Sequence, residues 1–260
     1  MTNEALKEAI SQKIKILQEQ GTQVILVHGG GPFINKSLGE AGITTEFFDG
    51  HRHTSVEALR CIEKTLKGEV NSSLVNLLNK QGLKAVGLSG KDGQLAIAEK
   101  RWHIVKDESG GDRQQDLGQV GDVKVVNPLL PNLLLENGFT PVITCIASDT
   151  AGNDYNINGD VFAGKIAASL QVDAYIVLTD VDGLYRDYPD PASILKSLKV
   201  EDVEAYMGTV IQGGMLPKIE SCLIALQGGV KKAIILNGTQ PEQLSDYIIN
   251  HHSIGTTITH

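Results

Sequence analysis

Five short, strongly apolar stretches limit what this chain can fold into more than any other feature: Val24–His28, Lys84–Leu88, Pro141–Cys145, Ala174–Thr179 and Lys232–Leu236. None alternates cleanly between apolar and polar residues, so each predicts a strand buried on both faces. Helical patterns lie between them. Leu6, Ile10, Ile14 and Leu17 form one apolar face. Similar patterns run through Asn35 and Leu38, from Val56 to Lys80, and over Pro128–Glu136, Asp160–Leu170, Val200–Met207 and Ile219–Gln227. Buried strands alternating with helices require a parallel sheet covered on both faces, an α/β fold. The alternation in Leu95–Val105 predicts hairpin strands, with Ser109-Gly110-Gly111-Asp112 at an exposed tip. A second strand–helix series begins near residue 172, which predicts lobes over 1–172 and 173–260.

The net charge of −8 over 260 residues argues against nucleic acid or an anionic membrane as partner, since both demand a dense positive face. A small anion remains possible, because a few focused lysines and backbone amides suffice to bind one. No run of about 18 apolar residues marks a membrane span, and no signal-like segment opens the chain. The expected location is the cytoplasm. Cys61, Cys145 and Cys222 are scattered without metal-ligand spacing and read as buried free thiols. His251, His252 and His260 match no standard metal spacing and read as a frayed tail.

Chemistry begins at Gly29-Gly30-Gly31, directly after the first strand. Three glycines strip the turn of side chains, so its N–H groups can approach a ligand beside the positive end of the next helix. That predicts a phosphate or carboxylate site; a tight turn without ligand is the plainer alternative. Asn156-Ile157-Asn158-Gly159-Asp160 opens a helix, either as simple capping or as a loop holding a substrate's polar groups. Lys218 follows Gly213-Gly214 at a helix start, where the dipole disfavours a cation, so either solvation or a phosphate ligand accounts for it. Thr179-Asp180-Val181-Asp182-Gly183 sits at a strand's C-terminal end, where α/β sheets bind ligands and turns also form. Arg52, between His51 and His53, is a carboxylate clamp or an exposed structural arginine. Gly159 to Lys165 imitates a phosphate-binding loop, but Ile166 replaces the required hydroxyl residue and no strand precedes it, so it reads as helix interior.

In order along the chain, V-H-G-G-G-P at 27–32, G-H-R-H-T at 50–54, V-N-S-S-L-V at 70–75 and G-L-S-G-K-D-G at 87–93 resemble the amino-acid kinase family. L-G-Q-V-G-D-V at 117–123, N-I-N-G-D at 156–160, L-T-D-V-D-G-L-Y at 178–185, G-G-M-L-P-K at 213–218 and I-G-T-T-I at 254–258 extend the match. The resemblance implies a three-layer αβα sandwich with an amino-acid-binding lobe and an ATP-binding lobe. It implies transfer of phosphate from ATP, with Mg²⁺ held mainly through the phosphates and no metal ligands from the protein. The implied acceptor is the γ-carboxylate of N-acetyl-L-glutamate, in arginine synthesis.

By the same resemblance, Gly29, Gly30 and Gly31 meet the substrate and the phosphoryl group in transfer. Arg52, Asn156 and Asn158 hold the substrate. Asp160 organises catalytic lysines and Lys218 contacts ATP phosphate, while Thr179, Asp180 and Gly183 lie along the nucleotide. A homodimer without arginine feedback is expected. Three departures stand out. Relatives open with a Lys-x-Gly-Gly strand that this chain lacks, so the expectation is a start upstream of Met1. Gly159 stands where relatives usually have alanine, and His53 where they have an apolar residue. The alternatives are a kinase of carrier-protein-linked aminoadipate or glutamate, and a truncated, catalytically impaired ligand-binding relative.

Overall fold

The computed structural model describes residues 3–48, 51–106 and 111–260. Met1, Gly50, Ser109 and Gly110, which belong to motifs above, lie outside the described residues. The chain begins with α1 (Glu4–Glu19), β1 (Leu26–His28), α2 (Gly31–Glu40), and the short strands β2 (Phe47–Phe48) and β3 (His51–Arg52). Next come α3 (Val56–Glu63), α4 (Ser72–Lys80), β4 (Ala85–Ser89), β5 (Ala96–Lys106), β6 (Asp112–Val126) and α5 (Leu129–Glu136). They are followed by β7 (Thr140–Thr144), β8 (Ile146–Ser148), β9 (Asp154–Asn156) and α6 (Gly159–Leu170). The last third holds β10 (Tyr175–Thr179), β11 (Ser197–Lys199), α7 (Leu216–Gln227), β12 (Ala233–Asn237), α8 (Glu242–Ile248) and β13 (Thr256–Thr259).

The central layer consists of two sheets. One is parallel, in the order β1-β7-β4; the other runs β10-β12-β13-β11 with only the β12–β13 pair antiparallel. The burial pattern explains why these strands lack polar alternation. Tyr175, Val177, Ala233 and Ile235 pack into the core cluster that holds Cys222 and Ala225 of α7. Their neighbours Ile176, Ile234 and Leu236 pack into a different cluster, with Ile14 and Leu17 of α1, Leu78 of α4 and Leu244 of α8. Successive strand residues point to opposite faces, so both faces are dry and a three-layer αβα sandwich results. A small closed barrel, β5-β6-β9-β8, stands beside the first sheet.

Helix α6 ties the two sheets together, since it packs against β1 and β10 as well as α7. The α6–α7 crossing explains Gly164 of the false phosphate loop: a Cβ there would lie 2.5 Å from the Ser221 carbonyl oxygen. Backbone cannot yield as a side chain can, so Gly164→Ala is expected to cost about 1–3 kcal/mol in a denaturant melt.

Several elements differ from the sequence expectations. The helix over Val56–Lys80 is continuous but contains a π-helical segment, Lys64–Asn71, between α3 and α4. Within it the Thr65 hydroxyl bonds the Cys61 carbonyl, which competes with the ordinary helical ladder. Val200–Tyr206 is a 3₁₀ helix rather than an α-helix. The C-terminus is not frayed: β13 lies between β12 and β11, so it gains ladder bonds on both edges, and a His260 ring nitrogen bonds the Leu226 carbonyl. All three cysteines are free; burial pushes the Cys145 and Cys222 thiols up to about 12, whereas Cys61 is only half-buried. Among the described residues no helix is long and apolar enough to cross a membrane.

Candidate functional site

Strand β1 delivers its C-terminal end to Gly29-Gly30-Gly31, and α2 starts there with Pro32 in its first turn. The three glycines are not equivalent. A Cβ on Gly30 would lie 2.7 Å from Leu66 Cδ2 of the π-helical segment, so packing alone explains that one. At Gly29 and Gly31 a Cβ would meet nothing within 4 Å, and neither needs a left-handed backbone. A tight turn gives no reason for those two glycines. Bare backbone beside open space gives one, because it leaves N–H groups accessible at a helix N-terminus.

The facing wall is the start of α6. Asn158 caps it, its side-chain oxygen accepting from the N–H groups of Asp160 at 2.9 Å and Val161 at 3.1 Å. A Cβ on Gly159 would approach Gly29 Cα to 3.3 Å and Gly29 N to 3.4 Å, tighter than ordinary contact. The N-termini of α2 and α6 therefore converge on one point, and Gly159 lets them do so. Asp160, one residue further, accepts from Lys218 Nζ at 3.0 Å. Lys218 stands in the first turn of α7, after the 3₁₀ turn Gly213–Met215. The cation that the dipole disfavours is thus held by a carboxylate, which itself suits the N-terminus of α6. Tyr175 supports this corner from below, its hydroxyl 3.3 Å from the Asp160 carbonyl and 3.1 Å from Ser221 Oγ.

Arg52 reaches the site from β3. Its guanidinium donates to Thr45 Oγ1 at 2.7 Å and to Asn35 Oδ1, and lies 4.4 Å above the Phe47 ring. Burial pulls its pKa below the usual arginine value, which still leaves it charged. Asn156, on β9, donates to Thr54 Oγ1 at 3.4 Å. Gly29, Gly30, Gly31, Arg52, Asn156, Asn158, Asp160 and Lys218 all line one cleft of about 1340 Å³. The same cavity continues between the facing edges of β1 and β10, past Leu26, Val27, Ile176 and Val177. Two helix N-termini, a lysine and an arginine around one cavity are the kind of groups that attract an anion.

Thr179, Asp180 and Gly183 do not line that cleft. They follow β10, with Thr179 Oγ1 donating to Asp180 Oδ1 at 3.2 Å. Gly183 has φ +143°, and a Cβ on it would lie 2.6 Å from Thr256 Oγ1, so the backbone there needs glycine for packing. Asp182, read from the sequence only as part of the strand-end turn, organises this corner. It accepts from Asn237 at 2.7 Å, Gln240 at 2.9 Å and Gln243 at 3.2 Å, and chiefly the Asn237 bond holds its carboxyl below the usual range. These three partners come from one sequence-distant segment, so spacing carried no signal of them, whereas Tyr185, whose hydroxyl donates to Asp182 Oδ2 at 3.2 Å, is local. Among the described residues no group of three or more His, Cys, Asp or Glu could hold a metal.

The sequence profile described as the amino acid kinase family matches residues 1–237. An acetylglutamate kinase of Heliobacterium modesticaldum is 41% identical over 259 residues, which is 99% of this chain and 88% of that protein. Another, from Methanocaldococcus jannaschii, is 40% identical over 260 residues, covering 100% of this chain and 87% of that protein. Among solved structures, smu.665 of Streptococcus mutans UA159 superposes with a TM-score of 0.76 at 28% identity, over 96% of this chain and 91% of that one.

Proposed function

This chain belongs to the amino acid kinase family, and we propose that it transfers the γ-phosphoryl group of ATP to the γ-carboxylate of N-acetyl-L-glutamate. The product is an acyl phosphate, N-acetylglutamyl 5-phosphate, as needed for arginine synthesis. The observation that carries this reading is the convergence of the glycine loop, the α6 N-terminus, Arg52 and Lys218 on one cleft. The acetylglutamate kinases that align with nearly the whole chain support the choice of acceptor.

The chemistry suits these residues. A γ-carboxylate is ionised near neutral pH, so its attack on phosphorus needs no general base. Two anions must instead be brought together while charge spreads over the phosphoryl oxygens, and positioning plus positive electrostatics lower that barrier. In this reading Arg52 and Asn156 hold the acetylglutamate, with Asn158 beside them. The Gly29, Gly30 and Gly31 backbone faces the group in transfer. Lys218, steadied by Asp160, neutralises the leaving side, and Thr179, Asp180 and Gly183 flank the nucleotide. Mg²⁺, carried mainly by the nucleotide's phosphates, would supply further charge neutralisation. The substrate lobe spans 1–172 and the nucleotide lobe 173–260, in a cytoplasmic homodimer.

Acyl phosphate trapped as hydroxamate tests the reading: MgATP with N-acetyl-L-glutamate gives product, whereas L-glutamate gives little. Equal rates with the two acceptors, or none with either, would reject it. Arg52→Lys keeps the charge but loses the planar fork. Its KM for N-acetyl-L-glutamate is expected to rise by about tenfold to a hundredfold, with KM for ATP unchanged in initial-rate kinetics.

A further inference from the structure

We propose that buried His28 and Asn71 form a positioning pair that aims the Gly30 N–H into the cleft, toward the group being transferred; this rests on the phosphoryl-transfer reading above. His28 ends β1 and is only 6% exposed; Asn71 ends the π-helical segment at 2%. Two polar side chains buried beneath an apolar sheet cost stability unless every polar atom finds a partner. Here their nitrogens find partners in a chain. The His28 ring sets Nδ1 2.9 Å from the Gly29 carbonyl oxygen. Asn71 Nδ2 lies 2.9 Å from His28 Nε2 and donates to the Val142 carbonyl on β7, also at 2.9 Å.

Two carbonyls decide the proton positions. Facing the Gly29 oxygen, Nδ1 must carry the hydrogen, and facing the Val142 oxygen, the Asn71 group must be the NH₂. His28 Nε2 is then the acceptor, so the ring is neutral in a single tautomer. Burial lowers the ring's pKa, against the raising effect of the Gly29 carbonyl and with a further lowering from Lys67. Room for Asn71 comes from β4: a Cβ on Gly87 would sit 2.1 Å from Asn71 Oδ1.

The consequence falls on the next peptide. Within the described residues only Tyr188–Pro189 is cis, so the Gly29–Gly30 peptide is trans and its C=O and N–H point in opposite directions. Tying the carbonyl to the buried imidazole turns the Gly30 N–H away from it. That N–H has no backbone partner among the described residues. Glycine on both sides leaves the peptide torsionally free, which is why it needs an external tether. A donor held in place before the reaction avoids reorganisation when charge develops.

The test compares His28→Leu, which fills the space but cannot donate, with His28→Asn, whose amide replaces the Nδ1 donor. His28→Leu is expected to lower kcat by about tenfold to a hundredfold with little change in either KM, and His28→Asn to recover most of it. The ¹⁵N order parameter of Gly30 should fall from about 0.85 to below about 0.6 in His28→Leu. Loss of packing alone would lower the melting temperature of both variants and leave kcat per folded molecule intact. Should His28→Leu not fold, Asn71→Leu, which keeps the ring but removes its anchor together with the bond to the Val142 carbonyl, is expected to show the same loss of kcat and of Gly30 order. Wild-type kcat and a rigid Gly30 in a folded Leu variant overturn the proposal. Failure of the wild-type protein to phosphorylate N-acetyl-L-glutamate rejects the kinase reading instead, and the Gly30 order parameter then decides the tether by itself.

Discussion

Lys218→Met should lower kcat for acetylglutamate phosphorylation by about a hundredfold to a thousandfold, the usual consequence of removing one preorganised donor from a developing charge. The melting temperature should scarcely move. Lys218 and Asp160 keep 22% and 29% of their side-chain surface exposed, so their ion pair is partly screened and contributes about 1 kcal/mol or less. Met retains the length of the lysine stem and its packing at the start of α7. Asp160→Asn is the informative companion: the cation stays but its 3.0 Å tether weakens. A smaller loss, about tenfold to a hundredfold, follows from misplacement rather than removal. Initial rates on both variants, with thermal melts beside them, check this. If Lys218→Met turns over within a factor of about three of the parent, the lysine merely caps the Asp160 charge and does not meet phosphate.

Gly29→Ala is the second large effect, and it separates a ligand site from a tight turn. Nothing lies within 4 Å of the new methyl, and the Gly29 backbone is not left-handed, so folding stability should be unchanged. The methyl would project where backbone N–H groups meet the phosphoryl group, and kcat/KM should fall by about tenfold to a hundredfold. Gly30→Ala must instead displace Leu66 Cδ2 from 2.7 Å, so it should lower both stability and activity. A stable, fully active Gly29→Ala protein would reduce the loop to a connection between β1 and α2.

The alternation of strands and helices was legible because both faces of the sheet are largely dry, which made β4, β7, β10 and β12 mostly apolar, with Ser89, Thr140, Thr144, Thr179 and Asn237 only at their ends. The first strand was legible but too long: Val24 and Ile25 fit the pattern, yet only Leu26–His28 pair, along one edge with β7. The four-strand barrel was not. Strands β8 and β9 have three residues each, too few to show a period, and they pair with β5 and β6 across long stretches of chain. The C-terminal strand was missed because Thr256, Thr257 and Thr259 read as polar, although Thr256 and Ile258 are wholly buried inside the sheet.

In the site, the glycine loop, Asn156–Asp160 and Lys218 stood out because each breaks a local rule or repeats a costly residue. The expectation that they share one cavity needed the fold, because Asp160 and Lys218 are 58 positions apart. His28 and Asn71 lie inside the motifs V-H-G-G-G-P and V-N-S-S-L-V, but nothing in the sequence paired them. A histidine closing an apolar strand and an asparagine on the inner face of a long helix are ordinary until their ring and amide are seen to meet.

The most direct test of the central claim follows an atom. With N-acetyl-L-glutamate labelled with ¹⁸O in its γ-carboxylate, unlabelled MgATP and hydroxylamine, the carboxylate oxygen that attacks phosphorus leaves with it when hydroxylamine displaces phosphate. The account predicts inorganic phosphate carrying one ¹⁸O, formed in step with the hydroxamate. Phosphate without the label would mean that water, not the substrate's carboxylate, takes the γ-phosphoryl group in this cleft, and would contradict it.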